Sequence, residues 1–301
     1  MIWKIRASML SLDRPLIMGI LNVTPDSFYD GGRFIDPDKA LAHAIRLFAE
    51  GADLIDVGAE SSRPGSEAIS EEEEWGRLEL ILKMILKTLH LPISIDTTKS
   101  GVARRALERG AHIVNDASGL KDDPLMADAV KEFGAGLVVM HRRGTPKTMQ
   151  AMAEYGDVMA EVSEELSQSL EIAEARGITR EQIAVDPGLG FAKTAAQSLE
   201  MLDRIGELKS FVRPILIGPS RKSFIGEVTK QKPEQRLYGT IAACVMGFER
   251  GAHIFRVHDA WAAKEALLVA EAIQKHTTEL GPSAAVPGLD ELGAWLLGSG
   301  A

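Results

Sequence analysis

Polar side chains follow a series of short apolar segments, and three of these side chains could bind the same ligand. Asp96, Asn115 and Asp186 each end such a segment. A carboxylate accepts two parallel N–H bonds, and an amide both donates and accepts. The three residues therefore suit a flat heterocycle with an amidine-like edge. Each could instead cap a helix or fix a turn, but three of them together favour one shared site.

A second set of residues has the chemistry of an anion site. The segment Ser220-Arg221-Lys222-Ser223 opens a helix-like stretch, where backbone N–H groups and the helix dipole attract anions. Arg256 and His258 are two residues apart, so on an extended chain they point the same way and predict two cationic donors for a phosphate. The remaining cations that follow apolar segments are Arg63, Arg142 and Arg143.

The balance of charge restricts the kind of partner. The chain has a net charge of −9, which argues against non-specific binding of nucleic acid. Cations gathered at one predicted site of an acidic protein indicate an anionic small-molecule substrate.

The elements that carry these residues predict a closed barrel. Eight apolar segments read as strands: 16–21, 54–57, 93–95, 112–114, 137–140, 183–185, 215–217 and 254–255. They are continuously apolar, as in parallel sheets that are buried on both faces. Amphipathic segments that read as helices lie between or after them: 38–50, 71–89, 99–109, 124–133, 154–176, 195–205, 234–250 and 260–275. We expect an α/β fold, a (β/α)₈ TIM barrel with its site at the carboxyl ends of the strands, although a doubly wound open sheet has the same alternation.

One domain accounts for most of the chain. We expect a lead-in over 1–14, the barrel over 15–276 and a tail over 277–301, with a short helix at 289–297. No apolar run approaches the length of a membrane span, and the amino terminus lacks a signal-peptide pattern. The single cysteine, Cys244, excludes intrachain disulfides and favours a cytoplasmic location.

Taken together, the motifs resemble those of the dihydropteroate synthases. They are MGILNVTPDSF (18–28), IDVGAESSRPG (55–65), ISIDTTK (93–99), ND (115–116), DPGLGF (186–191), SRKSFIG (220–226) and RVHD (256–259). The resemblance runs from about residue 16 to residue 272. It implies a barrel enzyme of folate biosynthesis that condenses 6-hydroxymethyl-7,8-dihydropterin pyrophosphate with p-aminobenzoate, giving 7,8-dihydropteroate and pyrophosphate by an SN1-like step. It also implies Mg²⁺ and a homodimer formed through the late helices.

The same resemblance implies roles for individual residues. The pterin would be held by Asp96, Asn115, Met140, Asp186, Phe191, Gly218 and Lys222. The pyrophosphate would be held by Asn22, Ser62, Arg63, Arg256 and His258, with Asn22 also a ligand of Mg²⁺. The p-aminobenzoate would bind last, against Phe28, Ser62, Arg63, Pro64, Lys222 and Ser223. The residues closest to the chemistry would be Asp96, Lys222, Arg256 and His258, beneath closing loops at 23–34 and 61–65.

The chain departs from the family pattern at a few positions. Ser62 stands where the family usually has threonine, Arg142 where it has methionine, and Ala192 where it has glycine. None of these departures removes a pterin or phosphate ligand. Two other classes stay open: a pterin-dependent methyltransferase that serves corrinoid proteins, and a pterin-binding paralogue without catalysis.

Overall fold

The computed structural model describes residues 1–24, 36–63 and 65–279 of the 301-residue chain. Its strands are β1 (Ile2–Ile5), β2 (Ser8–Ser11), β3 (Leu16–Asn22), β4 (Leu54–Gly58), β5 (Ile93–Asp96), β6 (Ile113–Asp116), β7 (Gly136–Met140), β8 (Ile183–Asp186), β9 (Leu216–Ile217) and β10 (Ile254–Val257). Its α-helices are α1 (Pro37–Ala49), α2 (Glu71–Thr88), α3 (Ser100–Arg109), α4 (Met126–Phe133), α5 (Val158–Ala175), α6 (Ala195–Asp203), α7 (Ser223–Thr229), α8 (Leu237–Arg250) and α9 (Ala260–Lys275).

Strands β3 to β10 form a parallel sheet that closes into a barrel. The hydrogen-bonded order is β8-β7-β6-β5-β4-β3-β10-β9. The two ends of this series meet at a parallel bridge between Val185 and Ile215, beside a bond from the Val185 N–H to the Pro214 carbonyl at 2.8 Å. The predicted (β/α)₈ barrel is therefore confirmed, and the open doubly wound sheet is excluded.

Local sequence explains where the helices begin and end. The side chain of Asp36 accepts bonds from the N–H groups of Asp38 and Lys39 and so caps α1. Thr194 and Gln197 form a capping box at the start of α6. Helices α3 and α8 end at Gly110 and Gly251, which have φ of 115° and 107°, a conformation that favours glycine.

The hydrophobic core has two layers. The larger layer lies between the outer face of the barrel and the helices, where the side chains of α1, α2 and α5 pack. The smaller layer fills the amino-terminal half of the barrel interior with Leu54, Ile113, Val138, Ala184, Leu216 and Ile254. Since successive strand residues face opposite sides, the inward residues two positions further along belong to the carboxyl-terminal half. They include Asp56, Asn115, Met140, Asp186 and Arg256.

An antiparallel hairpin of β1 and β2 closes the amino-terminal end of the barrel. Trp3 and Ile5 have no exposed surface and belong to the interior layer. The Trp3 indole N–H donates to the Gln182 carbonyl at 2.9 Å, and the Arg6 guanidinium donates to the carbonyls of Leu107 and Ala111. The lead-in predicted for residues 1–14 is therefore a structural plug.

The predicted elements match the observed ones within a few residues at each end. All eight barrel strands and all eight predicted helices are present. The hairpin and α7 are additional, and the helix proposed at 289–297 lies outside the described residues. Within the part of the chain that the structure describes, no helix is long and apolar enough to cross a membrane.

Candidate active site

The carboxyl ends of the barrel strands bring the predicted polar residues together. Asp96 is directly opposite Asn115 across β5 and β6, and Met140 is opposite Asp186 across β7 and β8. Asn115, Met140 and Asp186 are buried, whereas Asp96 is partly exposed. Parallel strands thus place side chains that are far apart in sequence around the carboxyl-terminal end of the barrel interior, the cavity of the candidate site.

Arg256 lies at the centre of this group. Its Nε is 2.6 Å from Oδ2 of Asp56, and its Nη2 is 2.8 Å from Oδ2 of Asp96. Burial alone would lower the pKa of Arg256, but the neighbouring carboxylates raise it overall. The guanidinium therefore stays charged and held on two sides.

Asp56 is a member of the site that the sequence did not single out. It is fully buried in β4, and its Oδ2 also accepts a bond from Nδ2 of Asn115 at 3.0 Å. One signal could have found it, because it is a carboxylate inside the apolar segment 54–57, two residues after the inward Leu54. Burial of an acid there is tolerated only with partners.

The carboxyl group of Asp96 has a raised pKa. Burial raises its pKa to about 7, Arg256 opposes this rise, and the carboxylates of Asp56, Glu74 and Asp116 reinforce it. The group therefore changes its charge near neutral pH, as acids and bases of functional sites often do.

Asp186, the last residue of β8, is a further acid of the cavity. Its Oδ1 accepts the N–H of Gly188 at 2.7 Å, and burial raises its pKa against the opposing charge of Lys222. Gly188 has φ of 69°, and a Cβ there would lie 2.0 Å from the carbonyl oxygen of His141. This turn therefore requires glycine, and it presents Asp186 to the cavity.

Lys222 and Phe191 form one side of the cavity. The ammonium group of Lys222 is 4.3 Å from the centroid of the Phe191 ring and donates to the Leu189 carbonyl. Burial lowers its pKa to about 8, although Asp186 partly offsets this effect. A Cβ added at Gly218 would make an ordinary van der Waals contact with the Cβ of Arg256, its nearest neighbour at 3.8 Å.

The rim of the barrel carries the residues predicted to hold phosphate. His258 Nδ1 lies 3.0 Å from the Ser220 hydroxyl, and Arg63 is exposed. Burial and the charges of Arg221 and Arg256 lower the pKa of His258 to about 3. His258 is therefore neutral at pH 7, so the expected second cation of the Arg256 pair is not charged in this state.

The mouth is also less cationic than the sequence suggested. Arg221 makes two bonds to Asp259 at 2.7 and 3.1 Å, and Arg142 lies 2.5 Å from Asp122. Arg143 is bound by two glutamates of α5 and packs over Tyr155. Of the cations predicted to gather at the mouth, these three arginines are paired with acids.

Other predicted residues lie around the same mouth. Asn22 is the last residue of β3, and Ser223, the first residue of α7, is exposed. Ser62 borders a cavity of about 310 Å³ that also reaches Asp96 and Arg142. Phe28 and Pro64 lie outside the described residues.

The described residues show which side chains could bind the Mg²⁺ ion that the resemblance implies. No cluster of three or more His, Cys, Asp or Glu side chains that could hold a metal ion occurs in residues 1–24, 36–63 and 65–279. Asn22 supplies one amide oxygen at the mouth. Since Mg²⁺ commonly keeps waters and shares substrate phosphates, this donor set fits an ion that arrives with the substrate rather than a preformed protein cage.

Comparison with known proteins identifies the class. Residues 18–258 match the family model of the pterin binding enzymes. The chain is 44% identical to dihydropteroate synthase from Synechocystis over 86% of this chain and 90% of that protein. It is 42% identical to dihydropteroate synthase from Escherichia coli over 87% and 93% of the respective chains.

Solved structures give the same result. A Yersinia pestis dihydropteroate synthase with a sulfonamide drug complex has a TM-score of 0.86 and 38% identity, over 92% of this chain and 100% of that one. A Xanthomonas albilineans dihydropteroate synthase with 4-aminobenzoic acid has a TM-score of 0.83 and 42% identity, over 88% and 95%.

The barrel and its polar interior are those of a pterin-binding enzyme, and the chain belongs to that family. Within the family, its relatives place it among the dihydropteroate synthases. Its activity is accordingly that of a transferase of folate biosynthesis, which condenses pterin pyrophosphate with p-aminobenzoate.

Proposed function

We propose that the buried cavity binds the pterin ring of 6-hydroxymethyl-7,8-dihydropterin pyrophosphate. Asp96, Asn115 and Asp186 supply acceptors for the N–H groups of the ring, and Lys222 supplies a donor beside them. Met140 and Phe191 lie against the ring faces, with Gly218 beside them. One observation carries this proposal: inside one closed barrel, Arg256 meets the carboxylates of Asp56 and Asp96, and the amide of Asn115 lies beside them.

The pyrophosphate group extends from this cavity to the rim. Arg256 and Arg63 balance its charge, while His258, Ser62 and Asn22 supply hydrogen bonds. Asn22 would hold a Mg²⁺ ion that arrives with the substrate, and such an ion would neutralise further phosphate charge. Because His258 is neutral in the free protein, Arg256 contributes more of the stabilisation than His258 does.

The reaction then needs no nucleophilic side chain. The bond between the exocyclic methylene carbon and the pyrophosphate oxygen breaks, and its electron pair leaves with the oxygen. The electron-rich pterin stabilises the resulting cation, and the buried walls keep water away from it. The amine nitrogen of p-aminobenzoate attacks the methylene carbon, and the proton that it then loses passes to the released pyrophosphate. Its ring binds near Ser62, Arg63, Lys222 and Ser223, with Phe28 and Pro64 as further predicted contacts.

A turnover assay with both substrates distinguishes this proposal from the two alternatives, a pterin-binding paralogue without catalysis and a pterin-dependent methyltransferase. Only the proposed enzyme should form 7,8-dihydropteroate. Arg256→Ala should reduce turnover strongly but leave the binding of a pterin without phosphates nearly intact. Arg250→Ala, at the carboxyl end of α8 where the side chain pairs with Asp203, is the matched control and should behave like the parent protein in both assays. Equal losses for both ligands would mean that Arg256 supports the ring or the fold.

A chelator tests the metal. Full turnover in its presence would show that the reaction does not need Mg²⁺ and that Asn22 is not a metal ligand.

A homodimer is the assembly that we propose, formed through α8 and α9. Five large apolar side chains on these helices are between 44% and 86% exposed: Tyr238, Met246, Trp261, Val269 and Ile273. Cys244 is buried. A two-fold contact would cover this apolar surface without obstructing the mouth. Light scattering that reports a monomer at micromolar concentration would contradict the dimer.

A cytoplasmic location is also a prediction, which the buried free thiol of Cys244 supports.

A further inference from the structure

Asp56 bonds to two functional groups that have different proposed tasks. Its Oδ2 accepts from Nε of Arg256 at 2.6 Å and from Nδ2 of Asn115 at 3.0 Å. Arg256 belongs to the pyrophosphate end of the site, and Asn115 belongs to the pterin end. A single buried oxygen atom therefore joins the two ends.

The bond to Asn115 determines which end of that amide faces the ligand. An ionised carboxylate only accepts hydrogen bonds, so Asn115 must present its NH₂ group to Asp56. This leaves the amide oxygen of Asn115 for the cavity. The ligand must then offer a donor at that point, as a pterin N–H does, and a ligand with an acceptor there would be rejected.

The bond to Arg256 restricts the guanidinium. Nε of Arg256 donates to Asp56 and Nη2 donates to Asp96, and these two bonds fix the plane of the guanidinium. Its Nη1 remains for an anion. Without Asp56, Arg256 would be held on one side only, so part of the cost of orienting it would fall on substrate binding.

We propose that Asp56 is a positioning residue that orients Asn115 for the pterin and Arg256 for the pyrophosphate, and so couples the two halves of the substrate site. This inference rests on the proposed roles of Asn115 and Arg256. Asp56 touches neither substrate in this arrangement, and its effect is transmitted through the two side chains that it binds.

A double-mutant cycle tests the coupling. Asp56→Ala should weaken pterin binding and also lower kcat/KM for the pterin pyrophosphate, each by about tenfold or more, because one acceptor serves both donors. Asn115→Ala should affect mainly pterin binding, and Arg256→Ala mainly the pyrophosphate. In the Arg256→Ala background, Asp56→Ala should lose the part of its effect on kcat/KM that acts through Arg256 but keep its effect on pterin binding, since only one of its two partners is gone.

The control is Ser94→Ala. Ser94 is directly opposite Asp56 on β5 and is also fully buried, but it bonds to neither Arg256 nor Asn115. This variant should keep parental binding and turnover. If it lowers both as Asp56→Ala does, Asp56 has only a packing role and the proposal is wrong.

Asp56→Asn keeps the test valid if the alanine variant does not fold. Its amide oxygen can still accept from Asn115, but the negative charge opposite Arg256 is lost. Pterin affinity should stay within about threefold of the parent, while kcat/KM should fall by about tenfold. Parental kcat/KM in this variant, or additive effects in the cycle, would overturn the inference. If Arg256→Ala and Asn115→Ala themselves change nothing, the proposed function fails instead.

Discussion

At the scale of single residues, Asp186 gives a direct test of the pterin site. Asp186→Asn replaces an acceptor by a group with donors facing the N–H edge of the ring. Losing one charge-assisted bond and leaving a donor unpaired should cost at least about 2 kcal/mol of binding free energy. Calorimetry with a pterin ligand measures this loss. Asp203→Asn, on the exposed end of α6, is the control. Unchanged affinity in the Asp186 variant would remove this residue from the site.

The pH dependence of the free enzyme should report Asp96. Its pKa is raised to about 7, so below that pH the carboxyl is neutral, and above it the group is an acceptor with full charge. We therefore expect kcat/KM to rise as the pH increases through about 7. Asp96→Asn should abolish this limb as well as lower activity. A profile that is flat between pH 6 and 8 in the parent protein would contradict the assignment.

Sequence alone located Asp96, Asn115, Asp186 and Lys222 because each directly follows an apolar segment or a turn. Their spacing could not indicate which side chains touch. The partnership of Arg256 with Asp56 joins residues 200 positions apart. It depends on the closure and register of the barrel. The pairing of Arg221 with Asp259 depends likewise on how two loops approach, and it changes the charge expected at the mouth.

At the scale of elements, a partly buried ion cluster holds the loop that carries Ser62 and Arg63. Lys99 Nζ lies 2.8 Å from Glu60 and 2.7 Å from the fully buried Glu74. Glu60 in turn accepts the N–H of Ile69 at 2.8 Å, which ties both ends of the β4–α2 loop together.

Lys99→Met should therefore destabilise the protein by about 3 kcal/mol, because it leaves two carboxylates without their cation. Urea unfolding measures this change in the free energy of unfolding. Lys83→Met, on the exposed face of α2, should change it by less than about 0.5 kcal/mol. Equal stability of the two variants would mean that the cluster does not support the loop.

The hairpin of β1 and β2 is a second element with a separable role. Trp3→Ala removes a fully buried ring and its bond to Gln182, which should cost about 3–5 kcal/mol of folding free energy. Since the hairpin is at the end of the barrel opposite the site, kcat/KM of the folded fraction should be unchanged. Met9→Ala, 68% exposed in the same hairpin, is the control for the unfolding experiment. A large loss of kcat/KM with normal stability would contradict this division.

The barrel strands could be predicted because continuous apolar segments recur with amphipathic helices between them. The hairpin could not, since its strands are four residues long and carry exposed side chains such as Ile2 and Met9. The two positions that matter, Trp3 and Ile5, gain their significance only from the open barrel end that they fill. Ala192 shows a comparable limit: its φ of 50° is a conformation that glycine adopts more easily, and only the folded chain reveals it.

At the scale of the whole molecule, the hairpin closes the amino-terminal end of the barrel, so the active site is a pocket that opens at the carboxyl-terminal end. The residues that we propose to bind the ring lie at its inner end and Arg63 lies at its entrance. We therefore expect the substrates to load in sequence, with the outer one blocking the exit of the inner one. A compound seated at the entrance should slow the escape of a pterin already inside, without any contact that strengthens its binding. Stopped-flow measurement of pterin dissociation, with and without p-aminobenzoate, would detect this delay. An unchanged dissociation rate would mean that the pterin has a second route to solvent.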